Sequence, residues 1–196
     1  VLYHLAKAGW RDSILLERSE LTSGSSWHAA GSIFALTAPS CAAVLQRYTR
    51  DLYPLLEKES GQALGYHQCG GVSIAKTQEE VVRQKILQDR CRRNGIPSEF
   101  VSLEELRRLV PFIDTSTILS ALYEPDKGYI DPASVVHAFA AAARLLGATI
   151  RRHTPVLGTR QLPSGEWEVE TPGGSLRCDV VVNAAGLWAR EVAAQA

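Results

Sequence analysis

The sequence lacks the features that mark several large classes of protein. Its 21 basic and 21 acidic residues balance to a formal net charge of zero, and neither sign is concentrated in a stripe or a tail. That balance gives no support to binding of nucleic acid or of a membrane surface. The longest apolar run, residues 133–146, is interrupted by His137 and Arg144 and is too short to span a bilayer.

Cysteine and methionine are also scarce. The 4 cysteines (Cys41, Cys69, Cys91 and Cys178) show neither CxxC pairing nor zinc-ligand spacing. This is typical of a reducing compartment rather than of a disulfide framework. Methionine is absent from all 196 residues, and the chain opens as a helix already under way, with no visible signal peptide. We therefore expect this sequence to be a piece of a longer protein.

The beginning of the chain has the pattern of the back half of a βαβ unit. Apolar residues recur at helical spacing as far as Gly9, a natural helix stop, and a buried-strand pattern over 13–17 ends in Glu17. In a dinucleotide-binding unit such an acid accepts hydrogen bonds from ribose hydroxyls, about 20 residues beyond a glycine-rich phosphate loop. That count places the loop before Val1. Any α/β protein whose strand happens to end in glutamate would show the same pattern.

The middle of the chain alternates between helical and strand patterns. Capping boxes of the Ser/Thr-x-x-Glu type begin at Thr77 and Ser102 and predict the starts of two helices. The elements predicted are a helix over 41–60 with a kink or restart at Pro54, a strand over 70–75, helices after Thr77 and Ser102, a strand over 121–124 and a turn over 125–128. Residues 65–131 are polar enough to form a cap over a cleft.

The last third of the chain returns to α/β patterning. Asp131-Pro132 opens a helix that should run to Gly147, because proline suits the first helical position. A strand over 148–150 and β segments separated by Pro/Gly turns follow. Residues 178–186 predict a fully buried strand that ends in a turn of small residues, where a backbone can approach a bulky ligand closely. A new helix should start near Trp188.

Taken in order, these stretches resemble the flavin-dependent amine oxidoreductases. The resemblance is carried by residues 2–9, 15–17, 21–31 and 181–189, with Gly70-Gly71 before the cap strand and 128–132 before the long helix. The branch that they resemble most is the dimethylglycine and sarcosine dehydrogenases, within the D-amino-acid-oxidase-like group. The resemblance implies an α/β fold. Residues 1–64 and 132–196 would form a partial FAD/NAD(P)-binding Rossmann-like domain, and residues 65–131 an inserted α+β cap lobe.

The resemblance also assigns residues to the cofactor. The counterpart of Glu17 binds the adenosine ribose of FAD, the backbone at Val156 contacts the adenine, and the small-residue strand end packs by the dinucleotide. His28 matches a covalent attachment site, bonded through a ring nitrogen to the 8α-methyl of the isoalloxazine, and neutral imidazole is a competent nucleophile for that carbon. Without the resemblance, a hydrogen-bonded loop histidine would be the better explanation of His28. The full predicted set is Glu17, Ser25, Ser26, His28, Val156, Ala185 and Gly186.

The other histidines and one cap tyrosine belong to no such pattern. His4, His67, His137 and His153 are interpreted as helix-face or surface residues. Tyr129 and Asp131 could face a substrate from the cap, but structural roles at a turn and a helix start explain them better. We expect most substrate-contacting groups downstream of the small-residue turn, so this segment should be inactive alone.

The implied activity is oxidation of the N-methyl group of a methylated glycine, such as dimethylglycine or sarcosine, by hydride transfer to FAD. The flavin supplies the chemistry, and the protein supplies placement and electrostatics. The electron acceptor would be an electron-transfer flavoprotein or oxygen, and tetrahydrofolate could capture the one-carbon unit on a domain outside this chain. We expect the cytoplasm in a bacterium or the mitochondrial matrix in a eukaryote.

Two other classes of protein share part of the pattern. The regulatory subunit of pyruvate dehydrogenase phosphatase is similar in sequence to these dehydrogenases but is not a catalyst, and we expect such relatives to lack the Trp27-His28 pair. A soluble NAD-dependent dehydrogenase would explain the βαβ pattern. It would not explain the inserted cap, the β segments that follow, or the Asn-Ala-Ala-Gly turn.

Overall fold

The computed structural model describes residues 1–10, 12–34 and 40–195, which divide into two compact units. The first unit combines Val1–Trp27 with Phe139–Ala196, and the second unit is His28–Ala138. The boundaries predicted from the sequence, after residues 64 and 131, both fall inside the second unit. The assignment of residues 65–131 to a cap therefore stays a prediction.

Helices and strands follow the predicted order over most of the chain. The helices of the described residues are α1 (Leu2–Lys7), α2 (Ser40–Ser60), α3 (Gln78–Arg93), α4 (Leu103–Leu109), α5 (Pro132–Leu145) and α6 (Ala189–Ala193). The strands there are β1 (Ile14–Leu16), β2 (Ser32–Ile33), β3 (Gly71–Ala75), β4 (Glu99–Val101), β5 (Ser120–Glu124), β6 (Gly128–Tyr129), β7 (Thr149–Arg151), β8 (Gly158–Gln161), β9 (Trp167–Thr171) and β10 (Gly174–Cys178). Helix α2 runs through Pro54 as a single element, so the predicted restart there does not occur.

The parallel pairing of β1 with β7 organises the first unit, with Leu15 opposite Ile150. Each of these strands follows a helix through a glycine of positive φ, +97° at Gly9 and +96° at Gly147. Glycine adopts this conformation without steric cost, and so allows the sharp turn from helix to strand. Strands β8, β9 and β10 form an antiparallel meander in the same unit. The predicted helix, glycine stop and strand at the start of the chain are confirmed.

The second unit contains an antiparallel sheet in the order β3-β5-β4. One face packs on α4 through the buried side chains of Leu106, Ile118 and Ala121. On the other face Glu124 is completely buried, and its Oε1 lies 2.6 Å from Nζ of Lys127. Burial of a charge is costly unless it is paired, so this ion pair is what makes an acid tolerable inside the lobe.

The predicted helix starts depend on local hydrogen bonds. Thr77 and Glu80 form both bonds of a capping box, as predicted. The Ser102 hydroxyl accepts from the Glu105 amide at 3.1 Å. At the start of α5 the Asp131 carboxylate accepts from the Ser134 amide at 2.9 Å, next to the predicted proline. Each of these bonds satisfies an amide that the first helical turn would otherwise leave without a partner.

The prediction of a fully buried strand over 178–186 is wrong. Cys178 ends β10, and residues 179–185 lie outside helices and strands, with Val180 55% and Val182 53% exposed. A strand in a parallel sheet is buried and hydrogen-bonded by its neighbours. Among the described residues no strand pairs with this run. The predicted turn of small residues and the helix near Trp188 are present, as a 3-10 turn at Gly186–Trp188 followed by α6.

Candidate cofactor site

Glu17 lies at the carboxyl end of β1, in the position that the sequence predicted. Its amide donates to the Arg151 carbonyl at 2.9 Å, and its carbonyl accepts from the Thr154 amide at 2.8 Å. The pairing of β1 and β7 thus extends into the loops that follow both strands. The Glu17 side chain is half-buried, and Oε1 accepts from the Ser19 amide at 2.8 Å, which holds the carboxylate over its own turn. Val156, half-buried, follows in the other loop.

A charged cluster fastens these two loops together. Glu20 accepts from Arg152 at 2.5 Å and lies 2.8 Å from Nε2 of His153. The hydrogen bonds from His153 and then from Arg152 lower the pKa of the Glu20 carboxyl. His153 has a positive φ of +52° and its amide donates to the Ser19 carbonyl. Strained backbone of this kind persists only where its surroundings hold it.

Arg18 and Trp188 bring a third segment to the same place. The Arg18 guanidinium carbon lies 3.7 Å from the centroid of the Trp188 ring. A side chain at Gly24 would also contact that ring, at 4.0 Å. A guanidinium over an indole face is a favourable cation–π contact. The loop after Glu17 therefore packs against the turn that holds Ala185 and Gly186. Sequence reasoning missed both residues, since nothing in the chain indicates that they meet.

Asn183 shapes the turn of small residues. Its Oδ1 accepts from the Ala185 amide at 3.2 Å, and its Nδ2 donates to the Ala189 carbonyl at 2.8 Å. Gly186 has a φ of +58° and open space where a side chain would project. Its amide and that of Ala185 are therefore at a turn with no bulky side chain over it, which suits the approach of a dinucleotide.

The predicted flavin histidine lies in a short 3-10 turn, Ser26–His28. Thr22, which precedes this turn in the chain, has a φ of +75°, a value that is an outlier for a β-branched residue. The Thr22 carbonyl accepts from the Trp27 amide at 3.3 Å. The side chains of Ser25 and His28 are exposed, and that of Ser26 is half-buried. The imidazole is thus presented on the surface rather than packed in a core.

Six of the seven predicted residues lie in the first unit, and His28 is the first residue of the second. Within the first unit the loops of Glu17 and Val156 are joined by hydrogen bonds, and the turn of Ala185 and Gly186 is joined to them through Trp188. An acid at a strand end, a guanidinium beside it and a glycine turn suit a dinucleotide with ribose and diphosphate groups. Within the described residues no cluster of His, Cys, Asp and Glu could hold a metal ion.

This chain belongs to the FAD-dependent oxidoreductase family, whose model matches residues 1–196. That match confirms the resemblance and the predicted Rossmann-like FAD-binding fold. It also favours FAD over the NAD-dependent alternative. The roles of the individual residues stay predictions.

Individual relatives and solved structures are also similar to this chain. The chain is 42% identical over 190 residues to dimethylglycine dehydrogenase of Rattus norvegicus, covering 97% of this chain and 22% of that protein. It is 35% identical over 192 residues to the pyruvate dehydrogenase phosphatase regulatory subunit of Mus musculus, covering 98% of this chain and 22% of that protein. Among solved structures, L-proline dehydrogenase from P. horikoshii is similar with a TM-score of 0.88 and 26% identity, over 99% of this chain and 51% of that one.

The chain thus spans about a fifth of the length of the curated relatives named above. No helix within the described ranges is both long and apolar enough to cross a membrane.

Proposed function

We propose that this chain is the FAD-binding part of an amine oxidoreductase that oxidises the N-methyl C–N bond of a methylated glycine, such as dimethylglycine or sarcosine. The observation that carries the proposal is the convergence of three loops in the first unit. The Glu17 and Val156 loops are bonded to each other, and Arg18 stacks on Trp188 beside Ala185 and Gly186. The 42% identity to a dimethylglycine dehydrogenase supports the choice of substrate class.

Each loop would hold a different part of FAD. Glu17 would accept hydrogen bonds from the adenosine ribose, and the backbone at Val156 would contact the adenine. The Ala185-Gly186 turn and the hydroxyls of Ser25 and Ser26 would approach the remainder of the dinucleotide. When bound, FAD supplies the hydride acceptor, and the protein positions the substrate carbon against it.

His28 would hold the flavin covalently, through a bond from a ring nitrogen to the 8α-carbon. Its exposed position in the 3-10 turn leaves the imidazole accessible to a large ligand. Forming this bond removes one hydrogen from the imidazole and one from the methyl group. The two electrons leave by way of the same external acceptor that serves catalysis. That acceptor would be an electron-transfer flavoprotein or oxygen, in the bacterial cytoplasm or the mitochondrial matrix. Tetrahydrofolate would bind a domain outside this chain.

The covalent bond is tested on the full-length protein by denaturing gel electrophoresis. We expect a fluorescent flavin band in the wild type and none in His28→Ala, which should still bind some FAD without the bond. A wild-type band without fluorescence would reject the linkage. Oxidation of dimethylglycine and sarcosine, followed with an artificial electron acceptor, tests the reaction itself, and a flavin-loaded protein that oxidises neither would contradict it.

A second candidate is a non-catalytic regulatory subunit, favoured by the 35% identity to that of pyruvate dehydrogenase phosphatase. The Trp27-His28 pair argues for the enzyme, because a regulatory protein needs no flavin anchor. Binding of pyruvate dehydrogenase phosphatase by a flavin-free protein, together with no amine oxidation, would support this second candidate instead.

A further inference from the structure

Three polar side chains lie in a row on one face of a small antiparallel sheet in the second unit. Ser32 of β2 pairs with Tyr129 of β6, and His67 pairs with Tyr129 from the other side through an isolated bridge. Residues directly opposite each other in antiparallel pairs project to the same face. The His67 and Tyr129 rings accordingly lie in contact, with centroids 4.9 Å apart and planes tilted by 34°. We call these three residues the Ser-Tyr-His face.

The backbone beneath this face is held tightly. The His67 amide donates to the Tyr129 carbonyl at 2.9 Å, and the Tyr129 amide donates to the His67 carbonyl at 3.0 Å. A side chain at Gly128 would collide with the same His67 carbonyl. The three side chains thus start from backbone that is held by sheet hydrogen bonds, in β2, in β6 and at the His67 bridge, and such backbone positions functional groups more accurately than a loop does.

No structural role accounts for the exposed polar side chains of the Ser-Tyr-His face. Tyr129 is 52% exposed, and Ser32 and His67 are also exposed. No other group in the described ranges hydrogen-bonds to the polar side-chain atoms of these three residues. By contrast, the Tyr3 hydroxyl accepts from Lys7 at 2.8 Å. Three hydrogen-bonding groups and the aromatic ring of Tyr129 are therefore available to a ligand.

The chain itself ties this face to the predicted flavin attachment site. Ser32 follows His28 after only Ala29, Ala30 and Gly31. The Gly31 carbonyl accepts from the Ile130 amide at 2.9 Å, which fastens β6 beside the segment that leaves His28. Ser32 is accordingly close to His28 along the chain, and sheet hydrogen bonds join β6, which carries Tyr129, to the segment that follows His28.

We propose that the Ser-Tyr-His face contacts the substrate, a zwitterionic N-methylated amino acid; this rests on the proposed function. A methylated ammonium binds favourably over an aromatic ring, and Tyr129 supplies that ring. The Ser32 hydroxyl and the His67 imidazole donate hydrogen bonds to the carboxylate at the other end of the ligand. The choice of substrate is then made partly within this segment, and not only downstream of it.

The test uses the full-length protein with FAD bound, and trimethylglycine as the probe. This molecule carries both charged groups, but its nitrogen has no lone pair, so binding can be followed without turnover by the change in flavin absorbance. We expect Tyr129→Leu to weaken binding about tenfold. Ser32→Ala should weaken it about threefold to tenfold. Tyr129→Phe keeps the ring and should stay within about twofold of the wild type.

Tyr48→Leu is the matched control, because Tyr48 is a 51% exposed tyrosine of the same unit, on α2. It should leave probe binding unchanged. Unchanged binding in both Tyr129→Leu and Ser32→Ala, in proteins that hold FAD and oxidise dimethylglycine, would overturn this inference alone. If Tyr129→Leu loses its flavin, Ser32→Ala decides, since it removes only one exposed hydroxyl. A wild type that takes up no FAD would instead defeat the proposed function.

Discussion

The stretch around His28 and the turn at residues 183–186 are made of similar residues but are held in different ways. Each contains alanines and a glycine of positive φ, +71° at Gly31 and +58° at Gly186. A side chain at Gly31 would collide with the Ile130 carbonyl, whereas one at Gly186 would meet nothing within 4 Å. Glycine is therefore needed at Gly31 for both space and conformation, and at Gly186 for conformation alone.

The two stretches also differ in how far along the chain their hydrogen-bonding partners lie. The His28 stretch leads into β2, which pairs with β6 from a distant part of the chain. The turn at 183–186 is held mainly by the side chain of Asn183, which bonds residues close to it in sequence. Changes in the packing around β6 should thus cost much more stability than changes at the turn.

The largest effect is expected from Lys127→Met. Lys127 lies just before β6, and its removal leaves the buried Glu124 carboxylate without its ion-pair partner. We expect the free energy of unfolding of the full-length protein to fall by about 3–5 kcal/mol, measured by urea denaturation. Arg108→Met is the control, since the Arg108–Glu104 pair is exposed and should contribute about 1 kcal/mol or less. Adding Glu124→Gln to Lys127→Met should recover much of the loss. Equal losses in Lys127→Met and Arg108→Met would show that burial does not matter here.

Gly31→Ala should be the next most damaging change. The new methyl group would meet the backbone carbonyl of Ile130, whose amide is bonded to the Gly31 carbonyl, so we expect a loss of about 3 kcal/mol. Because this glycine lies between His28 and β2, flavin fluorescence on a denaturing gel should also decrease. Denaturation and the gel measure the two effects separately. If Gly31→Ala had wild-type stability, the backbone at Ile130 would be able to move away from the new methyl group at little cost. Gly31 and Gly186 would then not differ in how closely they are packed.

Gly186→Ala should cost only the conformational strain, about 1–2 kcal/mol. The same urea titration measures it beside Gly31→Ala. A loss as large as that of Gly31→Ala would show that the turn at 183–186 is as closely packed as the His28 stretch.

The smallest effect concerns pH and the Glu20 cluster. Because the pKa of Glu20 is lowered in the folded protein by His153 and Arg152, its contribution to stability is complete above the ordinary carboxyl pKa. That contribution is lost as the pH falls through the lowered pKa. Unfolding curves from neutral to acidic pH should show a slightly weaker pH dependence in Glu20→Gln, and salt should reduce the difference. Identical pH profiles would remove Glu20 from the contacts that fasten the Glu17 loop.

The sequence predicted the elements well where the signals are local, and failed where neighbours decide. The capping box at Thr77 and the proline after Asp131 begin helices through bonds within one turn. The run from Cys178 failed because an apolar stretch shows only that burial would be favourable. It does not show which strand pairs with it, and Val180 and Val182 remain half exposed.

The residues of the candidate site show the same difference between local signals and contacts with distant neighbours. Glu17 was predicted because an acid at a strand end is a local pattern, and its position is as expected. Trp188 was missed as a contact of Arg18, since 170 residues separate them. His67 and Tyr129 were assigned to surface and turn roles, because the sequence does not show that β2 pairs with β6 or that His67 bridges to Tyr129.

By itself the sequence determined where the described helices begin, that Gly9 and Gly147 end two of them, and which family the chain resembles. Capping, periodicity and backbone conformation act over a few residues, and so they are encoded where they are used. Only the tertiary structure decided that β1 pairs with β7, that Gly31 must be glycine and that Ser32, Tyr129 and His67 share a face. Those outcomes depend on which distant backbones approach closely enough to exchange hydrogen bonds, and that is a property of the folded chain as a whole.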